Sequence, residues 1–169
     1  DYKSPYAYLA QEAAFELAAR AAVEIEWRPY TLLNDKYLGS AHLDANGQDT
    51  LGTRNDHQWR RVRYSYMDCR REANRRGLTI RGPRKIFDSV PAHVAFLFAR
   101  ERGPWRALHE AMFARFWRRE LDIEDVAVLC ALLDEHGFDG AAFPAYLAGE
   151  GRALHDALQR EAEDDGVFG

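Results

Sequence analysis

The chain opens DYKSPYAYLA (residues 1–10), and the reading of that stretch decides how the rest is assembled. Ser4 stands where a helix cap belongs, and Pro5 follows in the first turn, where its missing N–H costs nothing. The residues that follow, to about Ala21, are strong helix formers (YAYLAQEAAFELAARA), so a helix is predicted from Pro5 onward. Serine before proline at a helix start is among the commonest caps. The same position also gathers unpaired N–H groups and the positive end of the helix dipole, where a hydroxyl can help to hold an anion. The residues alone leave both readings of Ser4 open.

Working outward, residues 23–28 alternate, with Val23, Ile25 and Trp27 on one face and Glu24, Glu26 and Arg28 on the other. That pattern predicts a half-exposed strand at a sheet edge, closed by Pro29. Residues 34–56 are rich in Asn, Asp, Gly, Ser and Thr, include the turn pair Asn46-Gly47, and read as a long loop of the kind that forms lids. Trp59, Val62, Tyr66, Cys69 and Ala73 then recur at helical spacing and predict one buried stripe, ended by Gly77. Further helices are predicted from Asp88 or Ser89 through Phe98, from Pro104 through Trp117, and over DIEDVAVLCALLDEHGFD with Asp122 as cap and Gly137 as stop. Two short ones follow, over residues 140–148 and 151–165.

A single strand cannot satisfy its own backbone N–H and C=O groups, so its partners are expected outside these residues, one strand leading into Ser4 and others beyond Gly169.

Composition narrows the function classes. At 169 residues and 47% hydrophobic, the chain has apolar side chains for one ordinary core and no uninterrupted apolar run long enough to span a membrane. The net charge of -4 gives no global attraction to nucleic acid or anionic lipid. Between residues 60 and 85 there is nevertheless a basic run, with Arg60, Arg61, Arg63, Arg70, Arg71, Arg75, Arg76, Arg81, Arg84 and Lys85 against Asp68 and Glu72. It has no RNA-binding or helix-turn-helix signature and is read as a solvated face that draws anionic small-molecule substrates, so no nucleic-acid partner is expected.

Cys69 and Cys130 form neither a C-x-x-C pair nor a zinc spacing and are read as buried free thiols. His109-Glu110 lacks the second histidine of H-E-x-x-H, since position 113 is Phe113, and the other histidines are scattered, so no metal is predicted. The absence of N-x-Ser/Thr and of a visible signal peptide points to the cytoplasm.

The SPYAYLA head, the Trp27-Arg28-Pro29 end of the strand, the run RVRYSYMDCRREANRRGL and the closing GVFG together resemble the 2-hydroxychromene-2-carboxylate isomerases and kappa-class glutathione transferases. These belong to the DsbA-like branch of the thioredoxin superfamily. The likeness covers nearly the whole chain, and Arg61, Tyr64 and Asp68 fit the family's basic, tyrosine and aspartate spacing, with arginine where the family commonly has lysine. It implies an α/β thioredoxin-like fold with a large all-helical insertion. Residues 1–31 would start the thioredoxin-like domain, residues 32–150 would be the insertion, and residues 151–169 would return to the first domain. The GVFG run would lead into a valine, a cis-proline and the last strands.

The resemblance also implies glutathione as co-substrate. Ser4 would take the place of the reactive cysteine at the helix terminus and hold the thiolate, Arg61 would reach glutathione's carboxylates, and Tyr6 would wall the site. Substrates would be electrophilic, aromatic-derived carboxylates, and a homodimer is the assembly considered. The reading from another class is a DsbA-like protein without a C-x-x-C pair, serving as a binding module.

Overall fold

Residues 92–99 are buried on every side, and the other helices are arranged around them. The computed structural model of the chain describes residues 1–34 and 38–167. In chain order these hold helices α1 (Pro5–Ala21), α2 (Asp56–Arg75), α3 (Val90–Arg102), α4 (Arg106–Arg118), α5 (Val126–Glu135), a 3-10 turn (Gly140–Ala142), α6 (Phe143–Ala148) and α7 (Glu150–Asp164). Helix α3 packs against α4, α5, α6 and α7, while α1 lies on α2 and α4. An all-round apolar helix has no stripe and must be central. Val94, Leu97 and Phe98 accordingly meet Leu108, Trp117, Leu129, Leu132 and Phe143 in one core.

Three sequence expectations change here. Residues 23–28 run extended, but no ladder partner exists among the described residues, whose only bridges are the isolated pairs His42 with Lys85 and Leu43 with Asp49. The alternation survives at Ile25 and Trp27, which are half-buried, but Val23 is exposed. Side chains take over as backbone partners: Arg100 Nη1 donates to the Trp27 carbonyl at 2.6 Å, and the Thr31 N–H donates to Gln159 Oε1 at 2.8 Å. The Trp27 ring stacks on Phe15 at 4.5 Å between centroids, which fixes the segment against α1.

The loop after it is organised rather than open. The Asp44 carboxylate accepts from the N–H groups of Asn46 and Gln48, Asp49 accepts from His42, Leu51 and Gly52, and Gly47 supplies the positive φ the turn requires. Third, the cap of α5 is Asp125, whose carboxylate accepts from Ala127 and Val128; Asp122 instead turns the chain before it by accepting from Glu124 N–H. The last two residues of the GVFG run, Phe168 and Gly169, lie outside the described residues.

A buried polar chain ties the N-terminal residues and the extended segment to α3 and α7. The Thr31 hydroxyl lies 2.8 Å from His93 Nδ1 and 2.9 Å from His155 Nε2, donating to one imidazole and accepting from the other. The Asp1 carboxylate accepts from Lys3 N–H at 2.9 Å and Leu32 N–H at 2.8 Å, with His93 Nε2 at 3.3 Å. These contacts hold residues 1–4 and 31–34 side by side, which sets one wall of the cleft described below. No described helix is long and apolar enough to cross a membrane.

Thr31→Val keeps the shape but leaves both imidazoles without their shared partner, and we expect a loss of about 1–3 kcal/mol in urea unfolding. Burial is the main cause that holds His93 well below the usual histidine range and His109 down at about 3. Both are neutral when folded and take up protons when unfolded, so the stability they preserve is complete above pH ~6.5 and is lost as pH falls below it. Unfolding free energy measured at pH 7 and pH 5 should drop by up to ~1.4 kcal/mol per pH unit for each histidine. A flat profile would contradict this, and His109→Gln should reduce the slope.

Candidate functional site

Ser4 closes the N-terminus of α1 in extended conformation (φ -92, ψ 115), and its Oγ accepts the Ala7 N–H at 3.2 Å. Tyr8 N–H donates to the Ser4 carbonyl at 3.2 Å, and Pro5 has no N–H to place. The Tyr6 N–H makes no hydrogen bond within the described residues. Two donors are thus left at the positive end of α1, the Ser4 hydroxyl hydrogen and the Tyr6 N–H.

They face a large opening. Lys3, Ser4, Pro5 and Tyr6 form one side of a cleft of about 900 Å³, and Leu32, Leu33 and Asn34 continue that wall. The opposite side is the first half of α2, including Trp59, Arg61, Val62 and Tyr66, closed by the loop from Gly82 to Ile86 and by Arg119. That volume falls at the upper end of ordinary small-molecule sites.

The stripe predicted on α2 is therefore divided. Cys69 and Ala73 are buried in the core, but Trp59, Val62 and Tyr66 are half-buried and line the cleft. Arg61 borders the same cleft instead of facing away from it, and makes no ion pair. Tyr64 points to solvent at 62% exposure, and Asp68 bridges to Arg71 and to the Tyr6 hydroxyl, which donates to Asp68 Oδ2 at 3.1 Å. Arg61, Tyr64 and Asp68 thus share a helix but not a site.

Burial, then the neighbouring Cys69 and Asp68, push the Tyr6 hydroxyl up to about 12, so at neutral pH it donates and is not a phenolate. Burial also raises the thiol of Cys69, against a lowering hydrogen bond from Tyr6, and that of Cys130, with Asp134 adding to it. Neither cysteine is a thiolate nucleophile near pH 7, and neither has a disulfide partner.

The cleft's charge is one-sided. Arg54, Arg61, Arg63, Arg70, Arg84, Lys85 and Arg119 line it, and among the described residues no Asp or Glu does. Lys85 is paired with Glu124, but Arg54, Arg70 and Arg119 donate only to main-chain carbonyls. Spacing singled out neither Arg54 nor Arg119, which reach the cleft from a loop and from the end of α4; their one sequence signal is that each adjoins a turn. Among the described residues no group of three or more His, Cys, Asp or Glu side chains is placed to hold a metal.

The family comparison names the scaffold that carries this helix terminus and cleft. The DSBA-like thioredoxin domain matches residues 1–169, and the chain belongs to that family. It is 28% identical over 170 residues to the uncharacterized protein YwbO of Bacillus subtilis (strain 168), covering 96% of this chain and 74% of that one. The structure of a selenomethionine-labelled 2-hydroxychromene-2-carboxylate isomerase superimposes with a TM-score of 0.72 at 20% identity, over all of this chain and 79% of that chain. At that identity the match establishes the fold: a DsbA-like thioredoxin fold in which helices predominate.

With Cys69 fully buried and its thiol protonated, iodoacetamide at pH 7 should leave it unmodified in the native protein and label it once the chain is unfolded in urea. Mass-spectrometric mapping of the modified peptide is the check. Rapid native labelling of Cys69 would contradict the assignment.

Proposed function

We propose that the protein is a glutathione-dependent isomerase or transferase acting on electrophilic, aromatic-derived carboxylates. The observation that carries this reading is the placement of Ser4 at the N-terminus of α1, opening on a large cationic cleft. The Ser4 hydroxyl and the Tyr6 N–H would hold the glutathione thiolate, and Arg61 would engage a carboxylate of the same molecule. The isomerase activity named for the superimposed structure supports the choice of reaction.

The energies suffice. A free thiol titrates near ~8.5, and lowering it by one or two units takes roughly 1.4 to 2.7 kcal/mol. A hydrogen bond to a charged group contributes about 1.5 to 3 kcal/mol, and the helix terminus about 0.3 to 1 kcal/mol more. The bound thiolate then adds its electron pair to an electron-poor alkene carbon, and the former double bond becomes a single bond about which the adduct rotates. Reversal of the addition expels the thiolate and restores the alkene in its other geometry, with no net oxidation. The free guanidinium groups of the cleft would orient the substrate carboxylate and spread the charge that the addition creates.

Ser4→Ala keeps the helix but removes the hydroxyl donor. Glutathione-dependent turnover of a chromene carboxylate at neutral pH should fall roughly 10- to 100-fold, with Ser4→Thr retaining most of it. Turnover that ignores both the substitution and the removal of glutathione would reject the reading and leave a DsbA-like binding module in its place.

A further inference from the structure

The far side of the cleft carries a second constellation that takes no part in holding the thiol. Arg70 Nε donates to the Ile80 carbonyl at 3.2 Å, Arg119 Nε donates to the Gly82 carbonyl at 2.9 Å, and Arg54 Nε donates to the Leu38 carbonyl at 2.9 Å. Each guanidinium is therefore pinned to a neutral acceptor, Arg54 and Arg70 by the inner nitrogen and Arg119 by both Nε and Nη2, and each keeps terminal N–H groups and its full charge for a ligand. Two are further flattened against rings, Arg54 over Trp59 at 4.9 Å and Arg70 over Tyr66 at 5.3 Å.

Gly82 allows the close approach. A Cβ there would lie 3.3 Å from Tyr66 Cε1 and 3.4 Å from Arg70 Nη2. The Tyr66 hydroxyl has no partner within the described residues, and Arg54, Arg70 and Arg119 all act electrostatically on it, opposing the burial that holds it up at about 12. Asp49 is an acid that Arg54 also feels, but its carboxylate is already taken up by the N–H groups of His42, Leu51 and Gly52.

We infer that Tyr66, Arg54, Arg70 and Arg119 form an oxyanion subsite that takes a phosphoryl group. A planar carboxylate is satisfied by one guanidinium fork, whereas three pinned forks and a hydroxyl supply donors in several planes, as a tetrahedral group with three charged oxygens requires. This goes beyond the thiol reading and does not need Ser4. Since glutathione carries no phosphoryl group, the group belongs to the second substrate, a phosphate ester or diphosphate.

Isothermal titration calorimetry on the full chain at fixed ionic strength tests it, with pyrophosphate as the probe and succinate as the control. Pyrophosphate should bind at one site per chain and at least tenfold more tightly than succinate. Arg70→Gln and Arg119→Gln should each weaken it roughly tenfold or more, while Ser4→Ala leaves it unchanged. Circular dichroism confirms that the variants fold, and Arg70→Lys, which keeps the charge without the fork, should lose affinity while remaining as stable as the wild type. Presaturation with glutathione tests the placement: continued pyrophosphate binding supports a separate phosphoryl subsite, and exclusion, which glutathione's carboxylates would cause by occupying the same guanidinium groups, overturns it. Equal affinity for succinate and pyrophosphate, or affinity untouched by both glutamine variants, overturns the inference. Failure of glutathione to bind would instead count against the thiol reading and leave this result standing.

Discussion

The first turn of α1 holds more hydrogen-bond donors than the protein itself can use. Proline at the second position removes one, the Ser4 side chain and carbonyl take two, and the Tyr6 N–H remains without a partner at the edge of a cleft. A helix terminus with a free donor is a partial positive charge, and a hydroxyl beside it can turn its hydrogen outward while its oxygen still caps the helix. What the cleft can bind follows from that geometry. Burial holds both cysteines, Cys69 and Cys130, in the thiol form.

The surroundings strengthen the same electrostatic logic. Guanidinium groups held by backbone carbonyls keep their charge, while those held by carboxylates have spent it. On the outer part of α2, Arg75 and Arg76 are spent on Glu72, whereas Arg61, Arg63 and Arg84 in the cleft form no ion pair among the described residues. One basic run in the sequence thus serves two purposes, helix-surface pairing on one side and an anion-attracting wall on the other. The buried chain from Asp1 through His93 and Thr31 to His155 fixes the opposite wall, so the cleft stands between two rigid supports rather than between loops.

Much of this was legible in the sequence because local rules governed it. Ser4 and Pro5 marked the start of α1, Gly77 and Gly137 followed helix ends, and the failure of residues 23–28 to find a partner among the described residues followed from counting backbone groups. What escaped depended on tertiary context. Asp122 and Asp125 are equally good caps by type, and only the position of the helix axis chooses between them. Tyr66 and Trp59 have the spacing of core residues, and a stripe gives no sign that its first half faces a cavity. His93, His109 and His155 lie far apart in sequence, so no spacing rule could bring them around Tyr2 and Thr31.

The most direct test of the central claim is the titration of the bound thiol itself. With glutathione saturating the protein, the ultraviolet absorbance of its thiolate is followed against pH for the wild type and for Ser4→Ala. The account predicts that the bound thiol ionises one to two units below the ordinary value of ~8.5 in the wild type, and returns most of the way to it when the hydroxyl is removed. A bound thiol that titrates at the free value in both proteins would show that the N-terminus of α1 does not hold a sulfur anion.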